Sequence, residues 1–121
     1  MIKLVYCIRK RDDVELAEFY RYWLEDHGPL VKSVAADIGA CRYVQSHTVL
    51  PEMNAGMVEG RGLASPYEGI TEVWWPNQAE LERGLASAEG QAAAARLVED
   101  EARFIDFSRS RVFMTEEHEI F

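Results

Sequence analysis

The feature that most constrains this chain is the order in which two hydrophobic periods take turns along it. Ile2 to Arg9 alternates as a strand does, with Ile2, Leu4, Tyr6 and Ile8 on one face and Val5 and Cys7 on the other. A strand that is apolar on both faces is a central one, covered from two sides. Leu16, Phe19, Trp23 and His27 then recur at the spacing of one helix face. Asp12 stands as the cap of that helix, with Glu15 three residues on to close a capping box. Gly28-Pro29 is expected to end or kink it, because proline disfavours helical geometry in the residue before it and brings no N–H. Leu30 to Ala36 then supplies a further turn or two.

Three more strands follow by alternation, over Cys41 to Val49, Gly69 to Pro76 and Arg109 to Thr115. Pro51 to Pro66 has prolines at both ends and several glycines, which predicts a long loop. Asn77 with Glu80 caps a short helix through Leu85, and Ser87 caps another that runs to about Ile105 along Leu97, Val98, Ala102 and Ile105. Strand, helix, strand, strand, helix, strand is the α+β, ferredoxin-like βαββαβ order: a four-stranded antiparallel sheet with helices on one face. One domain spanning residues 1–121 is enough, since 121 residues with 48% hydrophobic side chains can bury a core without staples. The other sheet face, assigned Tyr6, Tyr43 and Trp74, is too apolar to stay wet, and no chain is left to cover it. A homodimer packed through its sheet faces, an α+β barrel, is the economical answer.

Charge and cysteine usage narrow the function. Thirteen Lys+Arg against twenty-one Asp+Glu give a net charge of −8, so nucleic acid is not an expected partner. The acidic runs at Val98-Glu99-Asp100-Glu101 and Thr115 to Glu119 read as a solvated helix face and an acidic tail. Cys7 and Cys41 form no C-x-x-C pair and sit in apolar strands, as small buried hydrophobes do. No apolar run reaches the ~20 residues of a membrane span, and Met1 to Tyr6 lacks the pattern of a leader, so a cytoplasmic protein is expected.

The candidate chemistry lies on the first helix and the middle strands. His27 ends the apolar stripe of its helix, where a neutral imidazole can give or take a proton near neutrality; the structural alternative is a histidine bonded to terminal carbonyls. Tyr43, Gln45 and His47 project from one strand face about 7 Å apart, a line of groups able to polarise a carbonyl, or to bond a partner sheet. Glu72 is a carboxylate flanked by Ile70 and Trp74, suited to acid/base work if held in an apolar pocket, or else paired with Arg9, Arg42 or Arg111. Trp23, Trp74 and Phe104 are candidate pocket walls, or core. His27, His47 and Glu72 could ligate a metal only if folding joined them, with no H-x-x-x-H spacing to favour it, so neither metal nor cofactor is expected.

Tyr22-Trp23-Leu24-Glu25-Asp26-His27-Gly28-Pro29-Leu30-Val31 resembles the EthD family of dimeric α+β barrels. Lys3 to Tyr6, Arg42 to His47, Glu72 to Trp75 and Arg103 to Asp106 are similar to that family as well. The resemblance implies a ferredoxin-like protomer, a dimer, and a pocket between sheet and helices in each subunit. Its wider superfamily holds cofactor-free muconolactone isomerases, polyketide cyclases and dehydratases, and also haem-handling oxygenases. The function expected is therefore cofactor-independent proton transfer beside a carbonyl of a small oxygenated cyclic molecule. His27 serves as acid/base, Tyr43 or Gln45 orients the oxygen, and His47 or Glu72 is the second proton-transfer group. The rivals are a non-catalytic binding module for a hydrophobic metabolite and an accessory of an oxygenase system.

Overall fold

A computed structural model describes residues 1–121. The strands are β1 (Ile2–Ile8), β2 (Arg42–His47), β3 (Gly69–Trp75) and β4 (Arg111–Glu116). They pair antiparallel in the order β2-β3-β1-β4, the ferredoxin-like arrangement. The helices are α1 (Leu16–Tyr22), α2 (Gly28–Ile38), α3 (Pro51–Arg61), α4 (Gln78–Ala86) and α5 (Ala88–Glu101). Leu4, Val73 and Tyr43 share one row of the sheet, and Tyr6, Thr71 and Gln45 the next, so all six side chains point to one face. That face meets the helices, where Val34, Ile38, Val73, Trp75, Leu81 and Ala93 form one apolar cluster. Ile8, Phe19, Trp23, Phe104 and Ile105 form a second.

The register corrects the assignment of faces. Tyr6 and Tyr43 lie on the helix-covered side, whereas Trp74 points to the open side with Lys3, Glu72 and Arg42. β3 is apolar on both parities, so only its pairing with β1 and β2 decides which tryptophan faces the helices, and it is Trp75. Trp74 is nevertheless 7% exposed, because the Arg42 guanidinium and the Lys3 ammonium lie over its ring and Glu117 accepts its N–H.

Two helical expectations also change. Asp12 is not a cap: its carboxylate pairs with Arg109 at 2.8 Å, and α1 starts only at Leu16. At Gly28-Pro29 the helix neither ends nor breaks. Trp23–His27 widens into a π turn, in which the Gly28 N–H donates to the Trp23 carbonyl, and α2 continues with Pro29 in its first turn. The wider turn accommodates a proline that has no N–H and would otherwise press on the carbonyl four residues back.

Pro51 to Pro66 is not a loop throughout. Its punctuation residues bound a helix: Pro51 begins α3 and Gly62 closes it in the left-handed region at φ 64°. None of the α3 residues is buried, so local sequence rather than packing defines it.

Candidate functional site

Between the helix-covered face of the sheet and helices α2 and α5 lies a cavity of about 500 Å³, most of whose lining residues are hydrophobic. That is the size and character of a small-molecule pocket. The π turn delivers two side chains to it. Trp23 is fully buried, and its indole N–H finds no partner in the protein. A buried donor left without an acceptor costs free energy, and the group that comes nearest to relieving it is the Tyr43 hydroxyl, on which the indole N–H acts to favour the ionised form.

His27, 5% exposed, is the second. Its Nδ1 lies 2.7 Å from Oδ2 of Asp100, whose Oδ1 accepts the Tyr22 hydroxyl at 2.5 Å. A carboxylate only accepts, so Nδ1 carries the proton and Nε2 is left as the basic nitrogen. Burial pulls the imidazole below its ordinary 6.5, and Asp100 opposes this only in part, so His27 is neutral at pH 7. The ring is steadied from behind by the edge of Phe104, with centroids 5.1 Å apart.

Tyr43 enters from β2. Its hydroxyl accepts a 2.8 Å hydrogen bond from Gln45 Nε2, which leaves the phenolic proton free to donate. Burial pushes its pKa up, keeping it neutral. Gln45 also donates to the Trp23 carbonyl at 2.7 Å and accepts from His47 at 2.9 Å. It lines a different depression and acts as a brace that ties β2 to the π turn.

Of the expected site residues, the fold therefore brings His27, Tyr43 and Trp23 onto one cavity, with Gln45 and Phe104 directly behind them. His47 does not join them. Its ring is stacked between Trp23 at 4.4 Å and Tyr20 at 5.0 Å, on the far side of the indole. Glu72 and Trp74 are on the opposite face of the sheet, and Glu72 is paired with Lys3 at 2.7 Å. A diagonal cross-strand cation, rather than Arg9, Arg42 or Arg111, holds that carboxylate, so it cannot serve the cavity. His27, His47 and Glu72 are thus in three separate places, and no group of three metal-ligating side chains converges anywhere.

Two acidic residues were missed. Asp100, the partner of His27, and Glu101, which lines the cavity, sit in the run read as solvated. The signal was present: Glu101 is four residues from both Leu97 and Ile105, on the apolar stripe itself. Tyr6 of β1 faces Glu101, and burial followed by the charge of Glu101 raises its pKa. Burial pushes Glu101 up to about 7, with repulsion from Asp100 adding to it and Tyr6 working the other way.

The EthD domain profile matches residues 11–108, most of the chain. The chain belongs to the EthD family. A crystallised EthD family protein from Bacillus halodurans has 18% identity, with 98% of this chain and 99% of that one covered and a TM-score of 0.63. A dimeric protein of unknown function and ferredoxin-like fold from Bacteroides fragilis has 13% identity, coverage of 96% and 95%, and a TM-score of 0.59. SnoaB, a cofactor-independent oxygenase from Streptomyces nogalater, has 12% identity, coverage of 98% and 93%, and a TM-score of 0.55. No curated protein matches the sequence. At these identities the likenesses establish the EthD fold and leave the chemistry to the site itself. No helix of this EthD protein is long and apolar enough to cross a membrane.

Proposed function

We propose that this EthD protein is a cofactor-independent enzyme that removes a proton beside a carbonyl of a small, apolar, oxygenated ring compound. The observation that carries the reading is the pairing of a basic His27 Nε2, its other nitrogen held by Asp100, with a neutral Tyr43 hydroxyl on the wall of the same apolar cavity. Nε2 takes the proton from carbon, and the electron pair of that C–H bond moves onto the carbonyl oxygen. The Tyr43 hydroxyl is the donor available to that oxygen as its charge develops, with the buried Trp23 N–H beside it. The apolar walls lower the local dielectric and strengthen that hydrogen bond.

The test uses 2-tetralone, an uncharged cyclic ketone, in D2O. Deuterium uptake at its α-carbon, followed by mass spectrometry, reports proton removal without knowledge of the physiological substrate. His27→Ala should slow the enzyme-dependent uptake by about 10²–10⁴-fold while circular dichroism stays unchanged. Uptake equal in the wild type and the variant would sink the reading.

The fold likeness to SnoaB favours one second reading, an oxygenase that begins with the same loss of a proton. Dioxygen consumption measured alongside deuterium uptake separates the two. A second copy of the chain completes the proposal by covering the open sheet face, where Phe113 is 48% exposed and the Lys3–Glu72 pair is half-buried.

A further inference from the structure

We propose that Glu101 is the second proton-transfer group of this cavity, and that the substrate it serves is uncharged and conjugated, losing a proton at one carbon and gaining one at another. The inference rests on the proposed function, since it requires His27 to act as the base. Helix α5 ends on two consecutive carboxylates that, at 100° per residue, leave in different directions. Asp100 turns to His27 and Tyr22, and Glu101 turns into the cavity.

What faces Glu101 decides what it can do. Tyr6 approaches from β1, Tyr43 from β2, His27 from the π turn and Asp100 from its own helix, while no Lys or Arg lines the cavity. A carboxyl with no cation to pair with, in an apolar wall, keeps its proton into the neutral range, where it is able to deliver it. The same surroundings select the substrate. A ligand bearing its own carboxylate would find no Lys or Arg on the cavity wall to offset its charge, at a high cost in desolvation. A neutral enone or enol fits.

The step balances within the site. His27 Nε2 takes the proton from the carbon beside the carbonyl, and that bond's electron pair forms the dienolate. The Glu101 carboxyl gives its proton to the far carbon, where the dienolate electron pair forms the new C–H bond. The imidazolium then returns its proton to the Glu101 carboxylate through solvent, so that no net proton is consumed.

The experiment compares two reactions of the full-length protein. One is deuterium uptake by 2-tetralone, which needs only the base. The other is conversion of a β,γ-unsaturated octalone to its conjugated isomer, followed by ultraviolet absorbance, which needs both groups. Glu101→Gln should lower the ratio of conjugation to uptake by about 10²-fold or more, and Glu101→Asp, which keeps a proton donor, should restore part of it. The wild-type conjugation rate should fall above about pH 7, the value to which the Glu101 carboxyl is raised, and this limb should vanish in Glu101→Gln. An unchanged ratio, or an upper limb that survives in Glu101→Gln, overturns the role of Glu101 while leaving the base in place. Absence of enzyme-dependent uptake by 2-tetralone in the wild type overturns the proposed function, and this inference with it.

Discussion

Glu101 makes a prediction about stability that needs no substrate. Its carboxyl is raised from an ordinary 4.5 to about 7 in the folded protein, chiefly by burial. The folded state therefore keeps this proton at pH values where the unfolded chain has already released it. Stability is free of this cost below about pH 4.5 and loses ground as pH climbs to about 7, where the folded group ionises too. The full difference corresponds to about 3 kcal/mol, of which most is incurred between about pH 5 and pH 7. Glu101→Gln keeps the shape and removes the titration. Urea unfolding of both proteins should show the variant gaining on the wild type by about 3 kcal/mol from about pH 4 to pH 8. Any fixed effect of the amide on Tyr6 is the same at every pH and drops out of that difference. His27, with its pKa lowered by burial, also titrates in this range, but it does so in both proteins. A stability difference that stays flat with pH would refute the burial of Glu101 as the cause of its shifted titration.

Three further outcomes follow from particular contacts. Asp100→Asn should slow deuterium uptake by 2-tetralone by at least about 10²-fold with His27 still present, because an amide no longer fixes which imidazole nitrogen holds the proton; a rate within twofold of wild type would refute the pairing. Leu50→Asn should raise the unfolding free energy by about 0.5–1 kcal/mol, since Leu50 is exposed and held at φ 56°, a region asparagine tolerates better; a loss of stability would contradict this. Native mass spectrometry should find twice the chain mass of 13.8 kDa, and a monomer would leave the open sheet face uncovered and refute the dimer.

The strands were legible because each carries a period-two pattern bounded by turn residues, and Asn77 and Ser87 announced α4 and α5 by cap chemistry that the structure shows, each accepting from a backbone N–H three residues on. The facing of β3 was not legible. Ile70 and Trp74 on one parity are as apolar as Val73 and Trp75 on the other, so nothing local distinguishes core from open face. That ambiguity placed Glu72 in the pocket, where Glu101 belongs. Helix α3 was hidden for a different reason: it buries nothing, so it has no apolar stripe to detect, and its proline and glycine mark its ends rather than a loop.

Pro29 links the legible part to the site. A regular helix through residues 23–29 would set the proline ring against the carbonyl of Glu25, and a break there would let the chain leave the sheet before His27 reached it. The π turn avoids both. It adds a residue to one turn, keeps Trp23 packed over Gly69, where an added Cβ would come within 2.6 Å of the indole ring, and directs the Trp23 carbonyl to Gln45. Gln45 in turn engages the Tyr43 hydroxyl at 2.8 Å. The base, the unpartnered indole N–H and the phenol are thus positioned by one irregular turn and one glutamine. Tyr22-Trp23-Leu24-Glu25-Asp26-His27-Gly28-Pro29 reads as a signature because its proline shapes the turn on which the basic nitrogen and its neighbouring donor are both mounted.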